Sequence, residues 1–360
     1  MAKADSFLGV DLSPDSIKVV ELRPEKGKPQ LVTYGYTESK SDVLKGDFII
    51  NKNITSTLIK EVADQAKVTT NFALAALPAS QVFSSVIKLA NVIKKDTENK
   101  TKIKALLSEE LKKISPRPLD QMVFDFNIIP TEDVEKAGKN DKLETVRFLI
   151  TAAPNEIVKD YMQIFKQAGF QLASLDIESF ALVRALVGND KSLIMVIDIG
   201  ENRTSLSIVN LAMPLVNRSI QVGSSAVTRA IADSLNISIA EAESYKLDLG
   251  IMMTQEKMEN YPKQIENALS PIITEIKYLL KIYYEQISRE GQTLDKIILT
   301  GGGALLGNFL DKYLTATLDI RTYIGDPWAR VIYPEELKPV LQEIGPRFSV
   351  TIGLAMREII

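Results

Sequence analysis

The feature that most constrains the fold of this chain is a strand, aspartate, turn, strand pattern that occurs twice. In residues 7–22, FLGVDLSPDSIKVVEL, an apolar strand ends at Asp11 and a turn leads into a second strand. In residues 192–210, SLIMVIDIGENRTSLSIVN, a strand ends at Asp198 and a glycine-containing turn leads into the next strand. Two related half-chains predict two similar domains that face each other across a cleft.

Two such hairpins can hold a phosphate chain from both sides of the cleft. Backbone N–H groups of the turns would donate to the phosphate oxygens, and Asp11 and Asp198 would hold a hydrated Mg²⁺ ion. Taken singly, an aspartate at this position is more often a residue that caps its own turn. The repetition of the pattern is therefore what favours a phosphate site.

Two further segments fit a nucleotide ligand. Residues 296–314 read as a strand, the turn Gly301-Gly302-Gly303 and a helix, an arrangement that lets backbone approach a ligand and aims a helix N-terminus at an anion. By itself this segment is more often a flexible turn. Glu243 and Lys246 share one face of a helix predicted to begin near Ser238, where they can hold ribose hydroxyls and the base or form a surface ion pair.

Composition excludes several classes of protein. The chain has 43 Lys+Arg and 46 Asp+Glu, a net charge of −3, which is not the balance of a nucleic-acid-binding domain. It has no cysteine and no histidine, so disulfides, thiolate or imidazole metal sites and Ser-His-Asp chemistry are excluded. No apolar run approaches the ~18–20 residues needed to span a bilayer.

The residues between the two hairpins contain a predicted inserted unit. Its elements are a strand at 82–90, a helix at 96–114, and strands at 122–130 and 145–153. The helix is predicted to bury one apolar stripe that includes Leu106 and Ile114. Residues 79–153 therefore read as a small α+β unit.

The order of these motifs resembles the actin-like ATPase superfamily, in which a phosphate hairpin, a connecting helix, a second phosphate hairpin and a glycine-rich adenosine motif follow one another. Within it, the chain resembles the PilM family of type IV pilus assembly proteins over essentially its whole length. The resemblance is carried by VDLSPDSIKVVEL (10–22), NFALAALPASQV (71–82), SPRPLDQMVFDF (115–126), AAPNEIVKDYMQIFKQAGF (152–170), DIESFALVRAL (176–186), VIDIGENRTSLSIV (196–209), EAESYK (241–246) and LTGGGALLGNF (299–309).

The resemblance implies an α/β, actin-like ATPase fold with two related domains around a nucleotide cleft. Domain one would span residues 1–190 and carry an inserted small α+β subdomain of the 1C type at about 79–153. Domain two would span residues 191–360, with a helical subdomain at about 240–295, and residues 350–360 would form its closing helix.

The resemblance also implies a role for each motif residue in binding ATP and Mg²⁺. Asp11 and Asp198 would hold Mg²⁺ through water. Glu178, at the start of the connecting helix, would position the attacking water, although an acid there is also a common helix cap. The residues implied to bind nucleotide are Ser13 and Lys18 on the first hairpin, Gly200, Glu201 and Asn202 on the second, Glu243 and Lys246 beside the ribose, and Gly301, Gly302 and Gly303 against adenosine.

The first hairpin departs from the superfamily pattern at one point. Relatives usually have Gly-Thr or Gly-Ser where this chain has Ser13-Pro14. The Ser13 side chain obstructs the close approach that a glycine allows, and Pro14 has no N–H to donate to phosphate. We therefore expect ATP to bind and its hydrolysis to be slow or absent.

The implied function is that of a cytoplasmic ATP-binding adaptor, peripheral to the inner membrane. It would bind the N-terminal cytoplasmic tail of a PilN-type inner-membrane protein and link it to the motor of pilus assembly, an ATPase. The tail is expected in a groove between the inserted unit and residues 7–78. No nucleic acid and no direct membrane insertion are expected, and self-association stays open.

Three alternatives share the fold. An FtsA-like polymerising division protein would dock to membrane through a C-terminal amphipathic helix, and residues 350–360 do not have that pattern. A small-molecule kinase would need a further general base in the cleft, and no candidate stands out beyond Asp11, Glu178 and Asp198. The cytoplasmic part of a type II secretion L-type protein would continue into a transmembrane helix.

Overall fold

The computed structural model describes residues 5–13, 16–38, 44–45, 48–49, 51–131, 134, 136–139, 141–252, 263–287, 292–306 and 310–360. Within these ranges the strands form two five-stranded sheets, one three-stranded sheet and a two-stranded ribbon of β4 (Leu44–Lys45) and β5 (Phe48–Ile49). Pro14 and Asp15, part of the predicted first turn, lie outside the described residues.

The first sheet is built around the predicted N-terminal hairpin. Its strands are β1 (Phe7–Leu12), β2 (Ser16–Glu25), β3 (Lys28–Glu38), β6 (Phe72–Leu77) and β10 (Gln171–Ile177), in the order β10-β6-β1-β2-β3. The first three form an antiparallel meander, and β6 pairs parallel with both β1 and β10. Strand β1 is nearly continuous in its apolar residues because both faces of the sheet are covered.

The second sheet repeats this arrangement. Its strands are β11 (Ile194–Ile199), β12 (Thr204–Asn210), β13 (Met213–Ile220), β14 (Lys296–Thr300) and β15 (Thr322–Ile324), in the order β13-β12-β11-β14-β15. Again a meander follows the central strand and two parallel strands complete the other side. Asp11 and Asp198 are each the fifth residue of a six-residue central strand. The predicted duplication is therefore present in the topology.

The inserted unit forms a sheet of its own, β7 (Phe83–Ile93), β9 (Lys142–Pro154) and β8 (Met122–Ile128), in the order β7-β9-β8. Its helix is not the single one predicted. The chain forms α2 (Lys94–Thr97) and then α3 (Lys100–Ile114), which begins where the Asn99 side chain accepts the Lys102 N–H. Leu106 and Ile114 are each 45% exposed, so the predicted apolar stripe is wrong at both positions.

The remaining helices lie around the two large sheets. They are α1 (Lys52–Gln65), α4 (Asn155–Gln167), α5 (Glu178–Leu182), α6 (Ser224–Leu235), α7 (Ile239–Met252), α8 (Lys263–Gln286), α9 (Leu310–Leu318), α10 (Lys338–Ile344) and α11 (Ser349–Ala355), with a π-helical turn at Val183–Val187. Helices α1 and α4 pack on the first sheet through Ile59, Tyr161 and Phe165. Among the described residues, no helix combines the length and the hydropathy that a membrane span requires.

The C-terminal helix α11 packs on the first sheet. Trp328, Phe348 and Ile352 form one buried cluster with Val20 and Leu22 of β2. Val350 and Leu354 of α11 also share a buried cluster with Ile194, Val196 and Ile298 of the second sheet, so this helix packs on both sheets and its place in the second domain stays a prediction. An apolar helix buries its surface wherever a complementary sheet face is free, and sequence order does not fix which sheet that is.

Candidate functional site

The first hairpin places Asp11 beside a lysine and two hydroxyls. Asp11 pairs with Lys18 across β1 and β2. The Asp11 Oδ2 atom accepts from Ser13 Oγ at 3.1 Å and from Lys18 Nζ at 3.3 Å. Lys18 Nζ also donates to Ser16 Oγ at 2.7 Å. The Asp11 side chain is 9% exposed and the Lys18 side chain 13%, so this ion pair is largely buried.

Asp198 occupies the same position in the second hairpin. Part of its surface reaches the cleft, while the surrounding protein desolvates the carboxylate. Desolvation, together with the charges of Glu178 and Asp11, raises the pKa of Asp198 from 3.8 to about 7, against the opposite effect of Arg203 and Lys18. Two other predicted acids from separate segments, Asp11 and Glu178, are therefore close enough to Asp198 to affect its ionisation.

Glu178 begins α5 and bridges two parts of the structure. Its Oε1 atom accepts from Arg203 Nη2 at 2.8 Å, and its Oε2 atom accepts from the Ala79 backbone N–H at 3.4 Å. The Glu178 side chain is 7% exposed. Arg203 was missed by the sequence analysis, although it directly follows the predicted turn at residues 200–202. Its guanidinium partly balances the carboxylates of the cleft.

The second hairpin turn is fixed by backbone hydrogen bonds. The Gly200 N–H donates to the Arg203 carbonyl at 2.8 Å, and the Ser225 N–H donates to the Glu201 carbonyl at 2.8 Å. The Asn202 side-chain oxygen accepts from Ser225 Oγ, also at 2.8 Å. The turn is thus joined to the first turn of α6.

The glycine run packs against the end of β11. Gly301 has φ +85°, and a Cβ there would overlap Asp198 Oδ1 and the Ile199 carbonyl oxygen. A Cβ on Gly303 would overlap the Ile199 side chain, whereas one on Gly302 would have its nearest neighbour, Arg347, at 3.7 Å. Two of the three glycines are therefore explained by close packing within the protein.

The helix expected directly after the glycines has a different form. Residues Gly302–Leu305 make a short 3₁₀ turn, and α9 is described from Leu310 to Leu318. Residues 307–309 lie outside the described residues. The prediction of an α-helix N-terminus aimed from the glycine run is therefore wrong at this position.

Glu243 and Lys246 form a network with Thr228. Lys246 Nζ lies 2.6 Å from Glu243 Oε1 and donates to Thr228 Oγ1 at 2.9 Å, and Thr228 Oγ1 donates to Glu243 Oε2 at 2.7 Å. The Lys246 side chain is only 8% exposed, which is unlike a surface pair. Desolvation acts to raise the pKa of Glu243, but hydrogen bonds from Lys246 and Thr228 and the charge of Arg347 outweigh it and lower that pKa.

Arg347 joins the two halves of the candidate site. It lies beside Gly302 and close enough to Glu243 to affect its ionisation. It belongs to the 3₁₀ turn Gly345–Phe348, about a hundred residues after Glu243 in sequence. No local pattern in the sequence marks this arginine, because only the return of the C-terminal segment brings it to the cleft.

The cleft fits a hydrated Mg²⁺ ion better than a directly coordinated metal. Among the described residues, no group of three or more acidic, imidazole or thiol side chains is close enough to hold a metal ion directly. Asp11 and Asp198 instead lie at equivalent positions of the two hairpins, and burial is the main cause of the raised pKa of Asp198, to which the negative charges of Glu178 and Asp11 add. An ion held through its own water shell would supply the missing positive charge.

Comparison with known proteins shows that almost the whole chain matches one protein family. The family model described as type IV pilus assembly protein PilM matches residues 9–359. Cell division protein FtsA from Enterococcus faecalis is 24% identical over 341 residues, covering 86% of this chain and 76% of FtsA.

Solved structures show the same fold. A PilM-PilN type IV pilus biogenesis complex is similar with TM-score 0.76 and 24% identity, over 98% of this chain and 98% of that chain. MreB5 of Spiroplasma citri bound to AMPPNP is similar with TM-score 0.53 and 16% identity, over 97% of this chain and 94% of that chain. The predicted actin-like ATPase fold is confirmed.

Proposed function

The chain belongs to the PilM family of type IV pilus assembly proteins, and from this premise we propose that it is an ATP-binding adaptor of pilus assembly. ATP with Mg²⁺ binds between the two large sheets, and the N-terminal tail of a PilN-type inner-membrane protein binds elsewhere on the chain. The observation that carries the nucleotide proposal is the convergence of Asp11, Glu178 and Asp198 from three segments.

In this proposal the two hairpins hold the phosphates. Asp11 and Asp198 orient the water shell of Mg²⁺, and Lys18 and Arg203 add positive charge beside the phosphate oxygens. Ser13 and the turn of Gly200, Glu201 and Asn202 line the phosphate chain. Glu178 would orient the attacking water, and an Mg²⁺ ion held through water by Asp11 and Asp198 would supply positive charge to the phosphates.

The second half of the site receives the nucleoside. Glu243 accepts hydrogen bonds from ribose hydroxyls, and Lys246 and Thr228 hold its carboxylate in position. Gly302, where a Cβ would make only an ordinary contact with Arg347 at 3.7 Å, lies against the adenosine, flanked by Gly301 and Gly303. Arg347, beside Gly302, forms part of the same surface of the nucleoside site.

The proposed domains keep a boundary near residue 190, with the inserted subdomain at about 79–153 and a helical subdomain at about 240–295. Helix α11 packs on β2 of domain one and, through Val350 and Leu354, also against the second sheet. Hydrolysis is slow, since Pro14 removes one phosphate donor from the first turn.

The partner proposal rests on the similar PilM-PilN complex. The cytoplasmic tail of a PilN-type protein would hold this chain at the inner membrane. The chain would in turn bind the assembly ATPase or further copies of itself. The second candidate function, an FtsA-like polymerising division ATPase, is favoured by the FtsA relatives, which match over 86% of the chain.

One experiment separates these functions. Protein purified without added ATP is denatured and its supernatant is analysed for nucleotide. The folded protein is titrated with the synthetic N-terminal tail of a PilN-type protein from the same organism. Retained adenine nucleotide together with saturable tail binding supports the adaptor. ATP-dependent sedimentation of polymers without tail binding supports the FtsA-like alternative.

A further inference from the structure

A cavity of about 440 Å³ lies between the inserted sheet and the second half of the chain. Its walls are formed by β7, by residues 215–217 of β13, and by Ile282 and Gln286 of α8. This volume is in the range of sites that bind small molecules. Among the described residues that line it, none belongs to the proposed nucleotide site. The cavity is therefore a second concave site on the chain.

The cavity lies at a junction whose two sides are packed together. Ile129 and Leu149 of the inserted unit are buried in the core cluster of the second half. The Ile129 N–H donates to the Arg147 carbonyl at 2.9 Å, and Arg147 precedes Leu149 by two residues on β9. Residues two apart on a strand share a face, so Arg147 lies on the face that packs against the second half. The backbone that carries Arg147 is therefore fixed in the folded protein.

Two cations lie side by side on this wall. Lys88 of β7 and Arg147 of β9 are direct cross-strand neighbours, and both line the cavity. Arg147 Nη2 donates to the Ile287 carbonyl at 3.4 Å. Lys88 forms no ion pair with any residue that the structure describes. Because like charges directly opposite each other in a sheet are destabilising, a bound anion would stabilise this pair.

The rest of the wall favours an organic anion. None of the described residues that line the cavity is acidic, and, besides the two cations, the side chains are apolar or carry hydroxyl or amide groups. The apolar part includes Val86, Leu215 and Ile282. A carboxylate would accept charge-assisted hydrogen bonds from Lys88 and Arg147, and the apolar residues would cover an aliphatic chain.

A buried hydroxyl lies further along the same face of β7. Ser84 Oγ lines the cavity and forms no hydrogen bond with the residues that the structure describes. Ser84, Val86 and Lys88 share one face of the strand, so Ser84 lies about 13 Å from Lys88. Buried polar groups are nearly always hydrogen-bonded, and a polar ligand atom at this end would supply the partner.

We propose that this cavity binds an aliphatic carboxylate that carries a second polar group at its far end. The carboxylate lies beside Lys88 and Arg147, the chain lies against Val86, and the far polar group forms a hydrogen bond with Ser84 Oγ. This small-molecule site is additional to the proposed adaptor function, and it does not depend on nucleotide binding.

Calorimetric titration of the full chain without nucleotide tests the proposal with probes of one chain length, which matches the distance from Lys88 to Ser84. The probes are ω-hydroxydecanoate, which has both polar ends, decanoate, which lacks the hydroxyl, and ω-hydroxydecanamide, which lacks the charge. Lys88→Met removes one cation, and Ser84→Ala removes the hydroxyl. Lys142→Met is the matched control, because Lys142 is also an exposed lysine of the inserted sheet but does not line the cavity.

We expect the parent and Lys142→Met to bind one ω-hydroxydecanoate per chain, more tightly than decanoate. Lys88→Met should weaken binding of ω-hydroxydecanoate about threefold or more and leave binding of ω-hydroxydecanamide unchanged. Ser84→Ala should bind ω-hydroxydecanoate and decanoate equally, because the partner of the terminal hydroxyl has been removed.

The proposal is overturned if the parent shows no saturable binding, or if Lys88→Met binds ω-hydroxydecanoate as tightly as Lys142→Met does. A Ser84→Ala protein that still prefers ω-hydroxydecanoate to decanoate would also overturn it. The titration of the parent is then repeated with saturating Mg²⁺-AMPPNP. Undiminished binding supports a separate site, whereas displacement of the probe by the nucleotide would place the probe in the nucleotide cleft and refute the proposal.

Discussion

Gly301 leaves no space for a side chain beside Asp198. A Cβ on Gly301 would overlap Asp198 Oδ1, and the φ of +85° is one that side chains rarely adopt. Gly302, the next residue, has neither restriction, since its nearest neighbour would lie at 3.7 Å. Substitutions of the two adjacent glycines therefore test whether close packing and positive φ make glycine necessary at position 301.

We predict that Gly301→Ala lowers the free energy of unfolding by about 2 kcal/mol or more, from left-handed backbone strain and overlap with the second hairpin. Gly302→Ala, the matched control, should change it by less than about 0.5 kcal/mol. Urea unfolding followed by the fluorescence of Trp328 measures both. Equal effects of the two substitutions would contradict the packing described for Gly301.

A second prediction concerns the pH dependence of stability. The folded-state pKa of Asp198 is raised to about 7, so the folded chain holds this proton more tightly than the unfolded chain. The contribution of protonated Asp198 to the free energy of unfolding is fully present below about pH 4 and is lost as the pH rises through 7. In EDTA without nucleotide, Asp198→Asn should therefore be more stable than the parent at pH 8 and equal to it at pH 4.

At pH 8 we expect Asp198→Asn to have a free energy of unfolding about 2–3 kcal/mol higher than the parent. This is less than a shift of three pKa units would give, because part of Asp198 reaches solvent.

Asp190→Asn is a control for which the pH dependence has the opposite sign. A hydrogen bond from Lys296 lowers the pKa of Asp190 to about 2, so its stabilisation is present above about pH 4 and is lost as pH falls. If Asp198→Asn were less stable than the parent at pH 8, the ionised Asp198 carboxylate would stabilise the folded chain, and the prediction would be wrong.

The third prediction addresses the nucleoside side of the cleft. Lys246→Met keeps the length of the side chain but leaves the Glu243 carboxylate without its cation, so we expect affinity for Mg²⁺-ATP to fall by about tenfold or more. Lys281→Met is the matched control, since Lys281 is 69% exposed and its ion pair with Glu285, at 3.8 Å, lies one turn along the same helix α8. Calorimetry that finds the same affinity for both variants would remove Lys246 from the site.

The two hairpins could be predicted from sequence because each depends on short-range information. An apolar strand, an aspartate and a turn within about ten residues determine the local structure, and the repeat places Asp11 and Asp198 at equivalent positions. Glu243 and Lys246 were found from their spacing on one helix, whereas Glu178 was identified only through the family resemblance of residues 176–186.

The missing parts depend on contacts between distant segments. Arg347 reaches the cleft only because α11 packs on β2, and neither segment carries a signal for the other. Leu106 and Ile114 fit the helical period of α3, yet the small three-stranded sheet covers only Ile103, Leu107 and Leu111 of that helix. Periodicity predicts which residues share a face and leaves open how wide a partner surface covers it.

A fourth prediction concerns turnover. Because Pro14 has no N–H, we expect ATP hydrolysis well below the roughly 1–100 s⁻¹ typical of kinases. The double substitution Ser13→Gly with Pro14→Thr restores the donor and should raise the rate, as measured by phosphate release under saturating Mg²⁺-ATP. A parent rate of several turnovers per second would show that the lost donor has no effect.

The central claim is that the two aspartate hairpins form one Mg²⁺-ATP site. Calorimetric titration of Mg²⁺-ATP into the nucleotide-free parent and into folded Asp198→Ala tests it most directly, because the substitution removes one carboxylate that would orient the ion. We predict one site per chain in the parent and loss of most of the binding in the variant. Unchanged affinity in a folded Asp198→Ala protein would contradict the claim.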